Sequence, residues 1–157
     1  MPLLSPLPSL LSPRLAVRLG LRFVHGIREE AAKRIEEEAR MARFTSVKEV
    51  AYRCRLRGDE LEALARIGAF ASLGESRRSA LWQVAALDGR RPLLARAMEP
   101  DPGPSPLPEM SVAERYVADY TGAGVTVGRP PLALRRTELA ARGIRSAGQL
   151  AGERNGA

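Results

Sequence analysis

The stretch FVHGIREEAAKRIEEEAR, residues 23–40, sets the reading of the whole chain. Its first half runs apolar, any residue, glycine, apolar, and its second half is a charged helix. Glycine reaches positive φ without steric cost and lets another backbone come close, so Gly26 marks a tight hairpin. The helix that follows opens with free N–H groups and the positive end of its dipole. A phosphate can rest on such amides without a side-chain base. Here Gly26, Ile27 and Arg28 would supply them, with Arg28 adding a charge-assisted contact. Within the helix, Glu29–Lys33, Glu30–Arg34 and Glu36–Arg40 stand in the favourable i,i+4 order, each adding about 0.2–0.5 kcal/mol. Ala32, Ile35, Ala39 and Ala42 form a narrow apolar stripe. His25 is the only histidine in the chain. No serine, cysteine or paired carboxylate stands beside it in sequence to complete an acid–base constellation. It reads as a phosphate contact, a turn contact or a tolerated hairpin residue.

Upstream, VRLGLRF (17–23) alternates apolar and polar residues, the period of a short strand, yet its end could equally be one helical turn. Downstream, helix-start signals repeat. In FTSVKEVAYRC (44–54), Ser46 precedes Glu49 by three residues, a capping box, and Val47, Val50, Ala51 and Cys54 share one face. GDELEALARIGAF (58–70) repeats the device with Asp59 and Glu62. Leu61, Leu64 and Ala65 face inward, and Gly68 stops the helix. ESRRSALWQVAAL (75–87) predicts another short helix in which Trp82 packs. PLLARAM (92–98) predicts one more, with Pro92 in its first turn. EPDPGPSPLPE (99–109) has proline at every second position from 100 to 108, which excludes helix and central strand and predicts a stiff linker. MSVAERYVADY (110–120) is a helix capped by Ser111 and Glu114, with Ala113, Tyr116, Val117 and Tyr120 as its face. A loop with a short strand near Val125–Val127 and two short helices, near 132–142 and 146–151, complete the pattern.

Hydrophobic residues make up 45% of the 157 and aromatics only 4%, so the core must be aliphatic, which suits packed helices. The expected class is all-α: short helices in a tandem helix-hairpin-helix arrangement, with a short strand near 17–23 as the one exception. The expected organisation is a disordered leader at 1–15, a helix-hairpin-helix domain at 16–98, the linker at 99–109, a small helical segment at 110–151 and a tail at 152–157. The net charge is +7, and it is unevenly placed. Residues 14–58 hold 12 basic and 6 acidic side chains, whereas 99–110 hold three acidic and no basic ones. A basic region of this kind invites a polyanion, or serves solubility alone. The candidate cations are Arg18, Arg22, Arg28, Lys33, Arg53, Arg55 and Arg57. A single cysteine, Cys54, excludes an internal disulfide and a cysteine-built metal site, and its position makes it a core residue. The leader MPLLSPLPSLLSP has no basic residue and four prolines, so it is a poor signal peptide and too short to span a membrane. A reducing cytoplasm fits.

The strings VRLGLRFVHGIREEAAKRI, FTSVKEVAYRC, LRGDELEALARIGAFASLG and RRSALW together resemble the region after the fingers in bacterial C-family DNA polymerases, the alpha subunits of polymerase III. The arginine-rich flavour and the later GVTVGRPPLALRRTELAARGI are similar to the error-prone, damage-tolerant branch. The likeness is carried by residues 16–82 and, more faintly, by 110–150. The combination of LEALARIGAF with RRSALW is far more specific than the glycine hairpin. Departures exist: the family usually has Leu at Val47 and Val50, Asp at Glu49 and Ala71, a small residue at Ile67, and His-Pro at Pro130–Pro131.

The resemblance implies non-sequence-specific binding of duplex DNA through phosphates, with His25, Gly26, Ile27, Arg28, Lys33, Arg22, Arg53, Arg55 and Arg57 as the contact set. It implies DNA as partner, together with other polymerase or damage-tolerance proteins, and a role in replication and translesion repair. It implies no catalytic residue here: the family's catalysis uses clustered palm aspartates holding Mg²⁺, and neither those aspartates nor a metal site is expected in this chain. On that reading the chain is a C-terminal piece of a polymerase that stops short of an OB-fold. The alternatives are a protein-interaction module and a non-functional polymerase remnant.

Overall fold

The computed structural model describes residues 19–88 and 103–150. The expected helix at 92–98, the leader and the tail lie outside the described residues. Every regular element among the described residues is helical: α1 (Glu29–Met41), α2 (Val47–Arg53), α3 (Gly58–Arg66), α4 (Arg77–Asp88), α5 (Val112–Ala123), α6 (Pro131–Leu134), α7 (Arg136–Ala141) and α8 (Ala147–Leu150). Short 3-10 turns occupy Leu21–Phe23 and Ala69–Leu73. The all-α class is therefore correct, and the short strand near 17–23 is not present in its described part. Phe23 N–H donates to Gly20 O and Val24 N–H to Leu21 O, so the backbone closes i→i+3 rings and has no partner strand. Val125–Val127 is loop.

The helix starts show which caps act. Ser46 Oγ accepts from Glu49 N–H at 3.1 Å, as its spacing predicts. The Glu49 carboxylate does not return to Ser46; it takes the backbone N–H and hydroxyl of Thr45, both at 2.7 Å. Ser111 and Glu114 form the full reciprocal box. In α3 the sequence signal misplaces the start. Arg57 is the N-cap, Asp59 lies inside the first turn, and it is Glu60 that accepts the Arg57 amide at 2.9 Å.

The core is assembled by α2 with its C-cap Cys54, α3, the second 3-10 turn and α4, from Val47, Val50, Cys54, Leu61, Leu64, Ala65, Phe70, Ala80 and Val84. The α3–α4 pairing is the most extensive. Ile27 and Ile35 lay the first hairpin and α1 against this core. On α1 the inward face is one residue from the expected stripe: Ala31 is fully buried, while Ala39 and Ala42 are exposed. Cys54 is buried, and desolvation pushes its thiol pKa up, which fits an inert core residue. Gly68 and Gly74 bracket the second 3-10 turn in left-handed conformation and reverse the chain between α3 and α4.

Residues 103–150 attach to this unit without contributing any residue to its core. The face expected on α5 is not buried: Val117 is 68% exposed and Tyr120 is exposed as well, whereas Asp119 is buried. The polar Asp119 goes in because Arg77 is there to neutralise it, at 2.7 Å. Arg78 reaches Glu114 at 2.7 Å, and Arg77 also donates to the carbonyls of Arg66 and Arg115. At Gly122 the α5 backbone packs on the Ile67 side chain, and an added Cβ would lie 2.5 Å from Ile67 Cγ2. Overpacking at such a point costs about 1–3 kcal/mol. Gly122→Ala is therefore expected to lift α5 from α3 while leaving the α2–α4 core intact. Hydrogen exchange would show the His25 amide, which donates to Gly122 O, losing protection while the α3 amides keep theirs.

Candidate nucleic-acid interface

The first hairpin is built as its sequence predicts. Gly26 sits at φ +88°, in the left-handed region that a β-branched residue avoids. Ile27 turns into the core and α1 begins two residues later. Among the described residues, nothing accepts a hydrogen bond from the Gly26 or Ile27 amide. Gly26 is exposed and Ile27 half-buried.

Arg28 is placed differently. Its guanidinium forms a fork with Glu60, Nε to Oε1 at 2.8 Å and Nη2 to Oε2 at 3.0 Å. Its own backbone N–H points to Glu60 Oε1 at 3.4 Å. The Glu60 side chain is 1% exposed and that of Arg28 37%. Glu60 thus receives the N-cap amides of both α1 and α3 together with a bidentate arginine. The anion expected at the start of α1 is present, and it belongs to the protein. The Arg28 fork, followed by the amides of Arg57 and Arg28, outweighs desolvation and holds the Glu60 pKa at about 2. The first turn of α1 also carries Glu29 and Glu30, whose charges satisfy the dipole and oppose a phosphate there.

Arg53 is equally committed. It bonds Glu38 at 3.0 Å and Glu49 at 2.8 Å, donates to the carbonyls of Glu38 and Ala42, and lies over the Phe44 ring at 4.5 Å. It caps the carbonyl end of α1 and ties it to α2. Hydrogen bonds from Thr45, then from Arg53, hold the Glu49 carboxyl at about 2.

The remaining candidates are on the surface. Arg22 is exposed above the Phe23 ring at 4.9 Å. Lys33 pairs with Glu29 at 2.7 Å, an exposed pair that water screens. Arg55 and Arg57 are exposed in the α2–α3 loop, and among the described residues no side-chain acceptor holds either guanidinium. Arg55 adopts φ +50°, the one non-glycine residue with positive φ among those described. His25 is a contact between segments: its N–H donates to Gly122 O at 2.7 Å and its Nδ1–H to Thr121 O at 2.8 Å. Sequence reasoning missed Glu60, Arg77 and Asp119. Glu60 sits at a capping position, which was the available signal; the other two pair across 42 positions of chain and leave none.

The low values of Glu60 and Glu49 carry a pH prediction. Both carboxyls sit below their ordinary 4.5 in the folded state, so each stabilises the fold above that value. That contribution is lost as pH falls from about 4.5 toward 2. The thermal midpoint is expected to fall through this window, and less steeply in Glu49→Gln. An unchanged profile in that variant would remove Glu49 from the account.

No group of three His, Cys, Asp or Glu among the described residues could hold a metal ion, and no described helix is long and apolar enough to cross a membrane.

The first hairpin turns at Gly26 and the α2–α3 hairpin at Arg55, the two meet at the buried Glu60 carboxylate, and residues 9–80 match the helix-hairpin-helix motif family. Over about nine-tenths of its length the chain is similar to one stretch of bacterial error-prone DNA polymerases. It is 45% identical over 143 residues to that of Burkholderia pseudomallei, which is 91% of this chain and 13% of that protein. Against the Pseudomonas fluorescens enzyme it is 41% identical over 135 residues, 86% of this chain and 13% of that one. Against the Methylococcus capsulatus enzyme it is 40% identical over 142 residues, 90% of this chain and 14% of that one. The chain thus spans about one-seventh of the length of these relatives. No solved structure matches it.

Proposed function

We propose that this chain binds duplex DNA through backbone phosphates, without reading base sequence, as the DNA-gripping part of an error-prone type of DNA polymerase. The observation that carries this is the first hairpin. Among the described residues, the Gly26 and Ile27 amides meet no acceptor, and the exposed guanidinium groups of Arg22, Arg55 and Arg57 pair with no carboxylate. Amides and guanidinium groups can contact phosphate oxygens, which are the same at every base pair. Lys33 adds charge through a screened pair that DNA can compete with. Nucleotidyl transfer and its Mg²⁺ fall to polypeptide outside the stretch that this chain shares with its relatives.

The test is binding of a fluorescent 20-base-pair duplex across a salt series. Engagement of about three or four phosphates predicts a slope of log K against log salt near −3. Duplexes of unrelated sequence should bind alike. No binding at low salt, or a slope near zero, rejects the proposal.

A second reading has its own observation. Val117, Val127 and Leu132 are each more than 60% exposed. On that reading residues 103–150 dock on a protein, and a complex that survives nuclease and high salt would favour it.

A further inference from the structure

We infer that Glu60 is a positioning residue for DNA binding: it fixes the α2–α3 loop beside the first hairpin, so that Arg55 and Arg57 meet the same phosphate backbone as the Gly26 and Ile27 amides. This rests on the DNA-binding reading above. The geometry is specific. One carboxylate, removed from water, takes the Arg57 amide on Oε2 and the Arg28 amide on Oε1, while the Arg28 fork spans both oxygens. Arg57 begins α3 and Arg28 begins α1, so the two hairpins are tied at their helix starts and nowhere looser.

The same carboxylate decides which groups can reach DNA. It consumes Arg28, whose charge it cancels, and it fills the anion position between the two helix starts. A phosphate is thereby displaced outward to the loops. There Arg55 holds a left-handed backbone, a conformation that costs on the order of 1 kcal/mol in a non-glycine residue and persists only when its surroundings fix it. Its neighbours do so: Arg55 N–H donates to Tyr52 O, Leu56 N–H to Ala51 O, and Arg57 N–H to Glu60. Two hairpins held rigidly together bind as one footprint; two that move independently do not.

A double-mutant cycle on the full chain tests this, with wild type, Arg57→Ala, Glu60→Gln and the double variant bound to the same duplex at about 0.1 M salt. Loss of one phosphate contact predicts roughly an eightfold weaker complex for Arg57→Ala, with the salt slope shallower by about one. Glu60→Gln touches no DNA, yet it should weaken binding at least tenfold and shift the slope in the same direction. In its background, Arg57→Ala should cost under twofold, because the loop has already left its place. Hydrogen exchange should show the Arg57 amide unprotected in Glu60→Gln while the α4 amides stay protected. A purely structural carboxylate would leave the full Arg57 effect in place once binding is corrected for folded fraction. If Glu60→Gln does not fold, Arg28→Lys, which keeps the charge and removes the fork, should also shrink the Arg57→Ala effect. Additive losses, or Glu60→Gln binding as tightly as wild type or tighter, overturn the inference and leave the function standing. A wild type that does not bind DNA overturns both.

Discussion

Arg77→Ala is expected to release residues 111–150 from the hairpins and to be the most destabilising single change in the described chain. Arg77 and Asp119 are both nearly buried, at 14% and 8% side-chain exposure, and meet at 2.7 Å. Removing one member of such a pair leaves the other charge in a poor solvent and costs about 3–5 kcal/mol. Arg77 also donates to the carbonyls of Arg66 and Arg115, so α3 and α5 lose a shared partner at the same time. Because α5–α8 give no residue to the core, what remains is the exposed Arg78–Glu114 pair, the two His25 hydrogen bonds and the packing of Gly122 on Ile67. Limited proteolysis should cut the variant between 111 and 150, while the α2–α4 core still melts cooperatively. The double change Arg77→Leu with Asp119→Leu removes both charges and should recover much of the loss. A variant as resistant as wild type would show that the segment is held by something other than this pair.

Gly26→Val is expected to abolish detectable DNA binding, while His25→Ala, one residue away, leaves it within about twofold. The reason for the first is conformational rather than steric. An added Cβ at position 26 would lie 3.7 Å from the Ala63 Cβ, an ordinary contact, but φ +88° is closed to a β-branched residue. The hairpin must then change its path, and the Gly26 and Ile27 amides turn with it. The strain is on the order of 1–3 kcal/mol, small enough for the core to survive and be verified by its melt. His25 matters for a different contact. Its bonds run to Thr121 and Gly122, so His25→Ala should cost about 0.5–1.5 kcal/mol in the docking of α5 and little in DNA affinity. Loss of binding in His25→Ala with binding kept in Gly26→Val would reverse the assignment.

Much of this molecule is local, and local features are legible in sequence. Ser46 and Ser111 start helices because a hydroxyl reaches an amide three residues on, within a single turn. Gly26 and Gly68 take left-handed backbone because glycine alone does so freely. Cys54 is buried because it shares a helix face with Val47 and Val50. The sequence also places the excess positive charge in residues 14–58.

What it could not say is which of those charges are free. Arg28, Arg53, Arg55 and Arg57 look alike along the chain. Tertiary structure separates them, giving Arg28 to Glu60 across 32 positions and Arg53 to Glu38 across 15, and leaving Arg55 and Arg57 outward. The same holds for α5, where the apolar period pointed to Tyr116, Val117 and Tyr120, and the fold instead buried Asp119. Helix periodicity reports which residues share a face. Whether that face meets apolar surface or an arginine is decided by another element, and ion pairs between elements leave no period in the sequence that forms them.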